Sequence, residues 1–101
     1  MNKLFSFLGL TMKAGKLVAG ESMVEKGLIA GTICLVIVAT DASDNTKKKF
    51  NNMCTYRNIE LIEFSDKYSL GKALGKEIRA TIGILDENFA KNIKSKIEEK
   101  I

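Results

Sequence analysis

Ser22 and Lys26 stand four residues apart behind Gly20, in the stretch GKLVAGESMVEKGLIAG at residues 15–31. Four residues is about one helical turn, so the hydroxyl and the ammonium share a helix face. Gly20, at the head of that helix, has no side chain and lets another molecule's backbone come close. A helix start also presents unpaired N–H groups and the positive end of the helix dipole. Together these suit an anion or the acceptor edge of a base. On spacing alone, a glycine-started helix with a plain solvent-facing polar side fits equally.

Catalysis finds little to use. There is no His, which removes the commonest acid–base group and the commonest metal ligand. Cys34 and Cys54 lie in apolar surroundings without a CxxC spacing, and no imidazole exists to activate either. Both read as buried core thiols of a reducing compartment. Asp41 and Asp44, in ATDASD after an apolar run, are the acidic pair placed where open α/β sheets bind ligands. Two carboxylates there could hold Mg²⁺ for phosphate chemistry. The same Ser43 and Asp44 are ordinary helix caps, and neither a third acidic ligand nor a phosphate loop accompanies them. The expectation is no enzyme, no cofactor and no metal.

The elements that must position these residues follow from periodicity. Residues 3–13 place Leu4, Phe5, Leu8 and Met12 on one helical stripe, with Asn2 as cap and Lys13 and Gly15 marking the end. Residues 16–18 make a short strand. Residues 21–30 make a helix with Val24 and Leu28 inward and Glu21, Ser22, Glu25 and Lys26 outward, stopped by Gly31. Gly27 inside it costs up to about 1 kcal/mol against Ala, so this helix leans on packing. TICLVIVAT, residues 32–40, is a central strand covered on both faces. Ser43 or Asp44 caps a helix over 45–56 with Phe50, Met53 and Cys54 inward, ended by Arg57 and Asn58. In the strand 59–64, Ile59, Leu61 and Phe64 oppose Glu60 and Glu63. SDKYSLGKALG holds a short helix capped by Ser69 with Leu70 and Leu74 inward. ATIGIL, residues 80–85, is another buried strand. Asp86 caps a last helix on which Phe89, Ile93, Ile97 and Ile101 recur. This alternation predicts a three-layer α/β/α sandwich around a small mixed four-stranded sheet.

With 101 residues the chain makes a single domain, 1–101, burying roughly two-thirds of its unfolded surface. At 46% hydrophobic and 28% charged residues it is ordinary globular material. A net charge of +4 suits a polyanionic partner. The run Lys47-Lys48-Lys49 reads as a solvated helix face or an auxiliary phosphate contact. The longest apolar run is far shorter than the ~20 residues of a membrane span, and the N-terminus lacks a signal-peptide core and cleavage site. The expectation is a cytoplasmic protein without a membrane partner, and nothing demands more than a monomer.

Several stretches in order carry a resemblance: GKLVAGESMVEKGLIAG, ICLVIVATDASDNT, MCTYRNIELIEF and SLGKALGKEIRATIGI. The run LGKALG at 70–75, following Arg57-Asn58-Ile59, is the most specific piece. The chain resembles the ribosomal protein L-seven-Ae family of kink-turn RNA binders, and its bacterial YlxQ-type branch in particular, over residues ~4–86. The resemblance implies an α/β/α sandwich that grips a sharply bent helix–internal-loop–helix RNA with tandem sheared G·A pairs. It implies that the helix after the first strand reads guanine edges, here with Gly20, Glu21, Ser22 and Met23, and with Lys26 one turn on. It implies that the loop before the last strand forms a lip over a flipped-out base, here Lys76, Glu77, Ile78 and Arg79. The implied partner is structured RNA, kink-turn or ribosomal, with an association with the ribosome.

This chain departs from the family pattern at two places. Many relatives carry Asn-Glu or Lys-Gln where Ser22-Met23 stands, and Met23 makes no good hydrogen bond. By analogy with DNA readout, each lost bidentate contact is worth ~1–3 kcal/mol. Lys76 and Arg79 stand where relatives often have apolar residues, Pro or Gly, which adds charge as specific readout falls. The alternative is a protein–protein adaptor that kept the fold and lost RNA readout. The amphipathic C-terminal helix, ending KSKIEEKI, reads as packing on the sheet, with protein docking as the alternative use.

Overall fold

The computed structural model describes residues 3–99. The elements are α1 (Lys3–Lys13), β1 (Leu17–Ala19), α2 (Glu21–Ala30), β2 (Leu35–Val38), α3 (Asp44–Arg57), β3 (Glu60–Glu63), α4 (Lys67–Ala73), β4 (Thr81–Ile84) and α5 (Glu87–Glu98). The caps expected at Asn2 and the apolar position at Ile101 lie outside the described residues.

The sheet order is β1-β4-β2-β3. β4 runs antiparallel to both its neighbours, and β2 and β3 run parallel. Parallel strands need a crossover, and α3 supplies it between β2 and β3. β1 and β2 also point the same way, with β4 filling the slot between them. The sheet is therefore mixed and four-stranded, as the sequence predicts.

Alternation along the strands divides the core in two. Leu35, Ile37, Ile82 and Ile84 face a layer of α1, α4 and α5, packing with Leu4, Leu8, Leu70, Leu74 and Ile93. Val36 and Val38 face α2 and α3, packing with Val24, Leu28, Phe50 and Cys54. All four residues of β2 are buried, as expected of a central strand. Burial pushes the Cys54 thiol up to about 11, so it stays neutral in the core at ordinary pH.

The structure corrects four expectations. Phe64 does not share a face with Ile59 and Leu61, because an offset of three residues from Leu61 turns it to the opposite side. It packs against Phe5, ring centroids 6.0 Å apart, in the α1 layer. Asp66 rather than Ser69 caps α4, its Oδ1 accepting the Ser69 N–H at 2.8 Å and its Oδ2 the Ser69 hydroxyl at 2.9 Å. Both bonds hold the Asp66 carboxyl below its ordinary value of 3.8. Cys34 is half-buried rather than buried, at the end of the sheet beside α5. The central strand is also shorter than TICLVIVAT, because Thr32 and Ile33 have other work. The Thr32 N–H closes α2 on the Gly27 carbonyl at 3.0 Å.

Ile33 enters a slot between Gly27 on α2 and Gly83 on β4. A Cβ at either glycine would sit 2.6 Å from Ile33 Cδ1. Ile33 is 3% exposed and blocked on both sides, so it cannot swing clear. This explains a glycine inside a helix. Propensity alone makes Gly27→Ala stabilising by up to about 1 kcal/mol. Overpacking the slot is expected to make it destabilising by about 1–3 kcal/mol. The urea unfolding midpoint decides between them: it falls if the slot dominates, and an unchanged or raised midpoint would contradict the packing described.

Candidate nucleic-acid interface

The topology collects four chain segments at one edge of the sheet. β1, β2 and β3 all end there, and β4 begins there. Hydrogen bonds then fasten three of the loops into a closed ring. The Ala39 N–H donates to the Ala80 carbonyl at 2.8 Å, and the Thr40 N–H to the Ser65 carbonyl at 2.7 Å. Asp41 Oδ1 accepts the Lys67 N–H at 2.9 Å, and the Lys67 carbonyl accepts the Arg79 N–H at 3.0 Å. Outside this ring, the Gly20 N–H donates to the Thr81 carbonyl at 2.9 Å. The start of α2 is thereby tied to the strand that leaves the 76–79 loop.

Gly20 is the N-cap of α2, with φ 99° and ψ 148°, and no side chain caps the first turn. A positive φ of this kind is strained for any residue with a Cβ. A Cβ placed at Gly20 would meet open space, and Glu21, Ser22 and Met23 after it are exposed. The uncapped N–H groups and the dipole end face outward as an acceptor-seeking surface.

The flank of α2 facing α3 is held by polar contacts. Glu21 Oε2 accepts the Thr46 hydroxyl at 2.8 Å, Glu25 pairs with Lys49 at 2.8 Å, and the Leu28 carbonyl accepts Arg57 Nε at 3.0 Å. These leave Ser22, Lys26 and Ile29, at spacing i, i+4, i+7, as an exposed stripe. Met23 is 49% exposed beside it. Ser22, Met23 and Lys26 thus stand on the surface as expected. Glu21 is exposed too, with one carboxylate oxygen engaged.

The 76–79 loop is seated on α4. The Lys76 N–H bonds the Gly71 carbonyl at 2.8 Å, and Gly71 itself is buried. A Cβ at Gly71 would lie 2.5 Å from the Glu77 carbonyl oxygen and 3.0 Å from Ile78 Cα. Only glycine allows the loop backbone to lie this low. Ile78 remains 43% exposed, and Lys76 and Glu77 are exposed. Arg79 turns back, its Nη1 donating to the Ile78 carbonyl at 2.6 Å.

Other candidate residues sort differently. Asp41 serves the start of α4, and Asp44 lies in the first turn of α3 behind the Ser43 cap, whose Oγ accepts the Thr46 N–H at 3.1 Å. Of the lysine run, Lys47 pairs with Glu63 at 3.4 Å and Lys49 with Glu25, while Lys48 is exposed. Sequence reasoning missed Thr40, Ser65 and Lys67 as members of the edge. Ser65 adopts φ 63° there, and no periodic signal marks such loop partners.

The sequence model of the ribosomal protein L7Ae/L30e/S12e/Gadd45 family matches residues 2–94. This chain belongs to that family. The RNA-binding protein YlxQ of Bacillus subtilis (strain 168) is 34% identical over 94 residues, covering 93% of this chain and 94% of that protein. The RNA-binding protein YlxQ of Enterococcus faecium is 36% identical over 96 residues, covering 95% and 92%. A solved structure of a protein with unknown function from Bacillus halodurans C superposes with a TM-score of 0.92 at 35% identity, covering 97% of this chain and 99% of that one. The Giardia lamblia 15.5kD RNA binding protein shares the fold, with a TM-score of 0.77 at 20% identity over 97% and 87% of the two chains.

Within this L7Ae/L30e/S12e/Gadd45 fold, Gly71 is the residue that sets the height of the 76–79 loop. Gly71→Ala is expected to raise the loop and lower stability by about 1–3 kcal/mol, although Ala is the better helix former. Amide chemical shifts would change at 76–79 and stay put at the C-terminal half of α2. Unchanged shifts at 76–79 would show that the loop does not rest on Gly71.

Proposed function

We propose that this chain is a noncatalytic, single-domain RNA-binding protein of the ribosomal-protein type, acting in the cytoplasm as a monomer on kink-turn-like or ribosomal RNA. The contacts are the start of α2, with Gly20, Glu21, Ser22, Met23 and Lys26, and the lip, with Lys76, Glu77, Ile78 and Arg79. One observation carries the proposal: the 2.9 Å bond from Gly20 N–H to the Thr81 carbonyl, which binds an uncapped helix start to the strand leaving the lip. The family membership and the names of the two YlxQ relatives support RNA as the partner.

The chemistry assigns the roles. RNA's deep major groove is closed to side chains, so proteins read bent or splayed elements. A kink widens the groove and crowds phosphates. The free N–H groups of α2 and the Ser22 hydroxyl take base-edge or phosphate acceptors. Lys26, one turn on, takes a phosphate. The free oxygen of Glu21 accepts from a base N–H. Met23 cannot hydrogen-bond a guanine edge and packs on a base face instead, which lowers specificity relative to relatives with polar pairs. Ile78 covers an unstacked base, Glu77 accepts from its N–H groups, Lys76 adds charge, and Arg79 stiffens the lip. Among the described residues no helix is long and apolar enough to cross a membrane.

The test is binding of the purified protein to a labelled kink-turn RNA and to an unkinked duplex at two salt concentrations. The kinked RNA is expected to bind more tightly. Lys26→Ala is expected to weaken it about tenfold and to lower the salt slope by about one, with thermal melting unchanged. Equal binding of both RNAs, abolished by salt, would overturn kink-turn readout and favour the adaptor reading.

A further inference from the structure

Beside the lip lies a second feature, of which the proposed contacts use only Lys76. Tyr68, on the first turn of α4, is 60% exposed. The Lys67 ammonium sits 5.8 Å from the centroid of its ring. Lys72, four residues on, shares its helix face and is exposed. Lys76 follows directly, anchored through its N–H to the Gly71 carbonyl. Lys67, Tyr68 and Lys72 thus lie on the helix that carries the lip, and Lys76 is the first residue of the lip.

Hydrogen bonds hold the backbone beneath this patch. The Lys67 N–H is fixed on Asp41, and the Lys67 carbonyl holds the Arg79 N–H at 3.0 Å. Gly71, three residues beyond Tyr68, carries the Ile78 backbone. Tyr68 thus lies about one helical turn before the residue on which the lip rests. The acids nearby are Asp41 and Asp66, both committed to α4 N–H groups, and Glu77 on the lip. Glu77 is the one acid here with no such bond, set against the ammonium groups of Lys67, Lys72 and Lys76.

An exposed ring among cations is the arrangement that binds unpaired nucleotides. The base stacks on the ring, and the flanking phosphates meet the ammonium groups. We infer that Tyr68, with Lys72 and Lys76, forms a stacking platform for a single-stranded nucleotide next to the bent element. This inference rests on RNA being the partner. It extends the interface from the α2 side of the edge to the α4 side. The other tyrosine–cation pair among the described residues, Tyr56 with Arg57, does not serve equally: Arg57 is committed to the Leu28 and Met53 carbonyls, at the far end of α2 from Gly20.

The chain has two tyrosines and no tryptophan. Tyr56 is 84% exposed, so Tyr56→Phe leaves the fold intact and makes Tyr68 the sole tyrosine emitter. This variant would be titrated with two kink-turn RNAs, one blunt and one carrying single-stranded tails on both stems. Tailed RNA is expected to bind more tightly than blunt RNA and to quench Tyr68 emission. Tyr68→Ala, with an unchanged melting temperature, is expected to weaken the tailed RNA about 5- to 100-fold and the blunt RNA little. Tyr68→Phe should retain binding, and Lys72→Ala should lower the salt slope. If Tyr68→Ala binds both RNAs like the wild type and emission is not quenched, while Lys26→Ala still loses binding, the platform is overturned and the α2 reading stands. If Lys26→Ala is silent and kinked RNA is not preferred, yet tailed RNA still quenches Tyr68, the kink-turn reading falls and the platform stands. If neither RNA quenches Tyr68 or binds at all, both fall.

Discussion

The antiparallel pairing of β1 with β4 decides where everything else can be. β1 has only three residues, with Leu17 opposite Ile84 and Ala19 opposite Ile82. Strands this short hold little by themselves. Burial of Leu17 and the ladder on β4 fix its register, and a slip of one residue would turn Leu17 away from the core. The register carries on for one more bond, from Gly20 N–H to the Thr81 carbonyl. Through it the chain enters α2 beside the residues that enter β4. A helix start and a loop some sixty positions apart become one surface.

The two sides of that surface are held by different physics. α2 is placed mainly by packing: Val24 and Leu28 are buried, and Ile33 fills the slot between helix and sheet. The polar contacts to α3 at Glu21 and Glu25 are half-exposed, and such pairs contribute ~0–1 kcal/mol each. They orient the helix about its axis more than they stabilise it. The lip is placed by backbone hydrogen bonds around the ring of loops and by the missing side chain of Gly71. Both devices hold the chain from behind, so the outward groups stay free for a partner.

Much of this was legible in the sequence. β2 declares itself by an unbroken β-branched run, and α5 by apolar residues every four positions. The Ser43 and Asp86 caps are local signals, bonding three residues ahead. The α2 stripe was readable because Ser22 and Lys26 are one turn apart. What escaped has long sequence separation or none of the expected period. Asp41 bonding Lys67 spans 26 residues, and Thr40 bonding Ser65 spans 25. Asp66 and Ser69 are both good caps, and only the observed helix start separates them. Gly27 and Gly71 look like defects in helices until the atoms that need their space are known.

The central claim is that the α2 start and the 76–79 lip act as one binding surface. The most direct measurement is an amide NMR titration of the uniformly labelled protein with a kink-turn RNA, following every backbone N–H together. Gly20, Glu21, Ser22 and Met23 are expected to shift with the same midpoint as residues 76–79, while the exposed face of α5 stays unchanged. Shifts confined to α5, or to only one of the two segments, would contradict it.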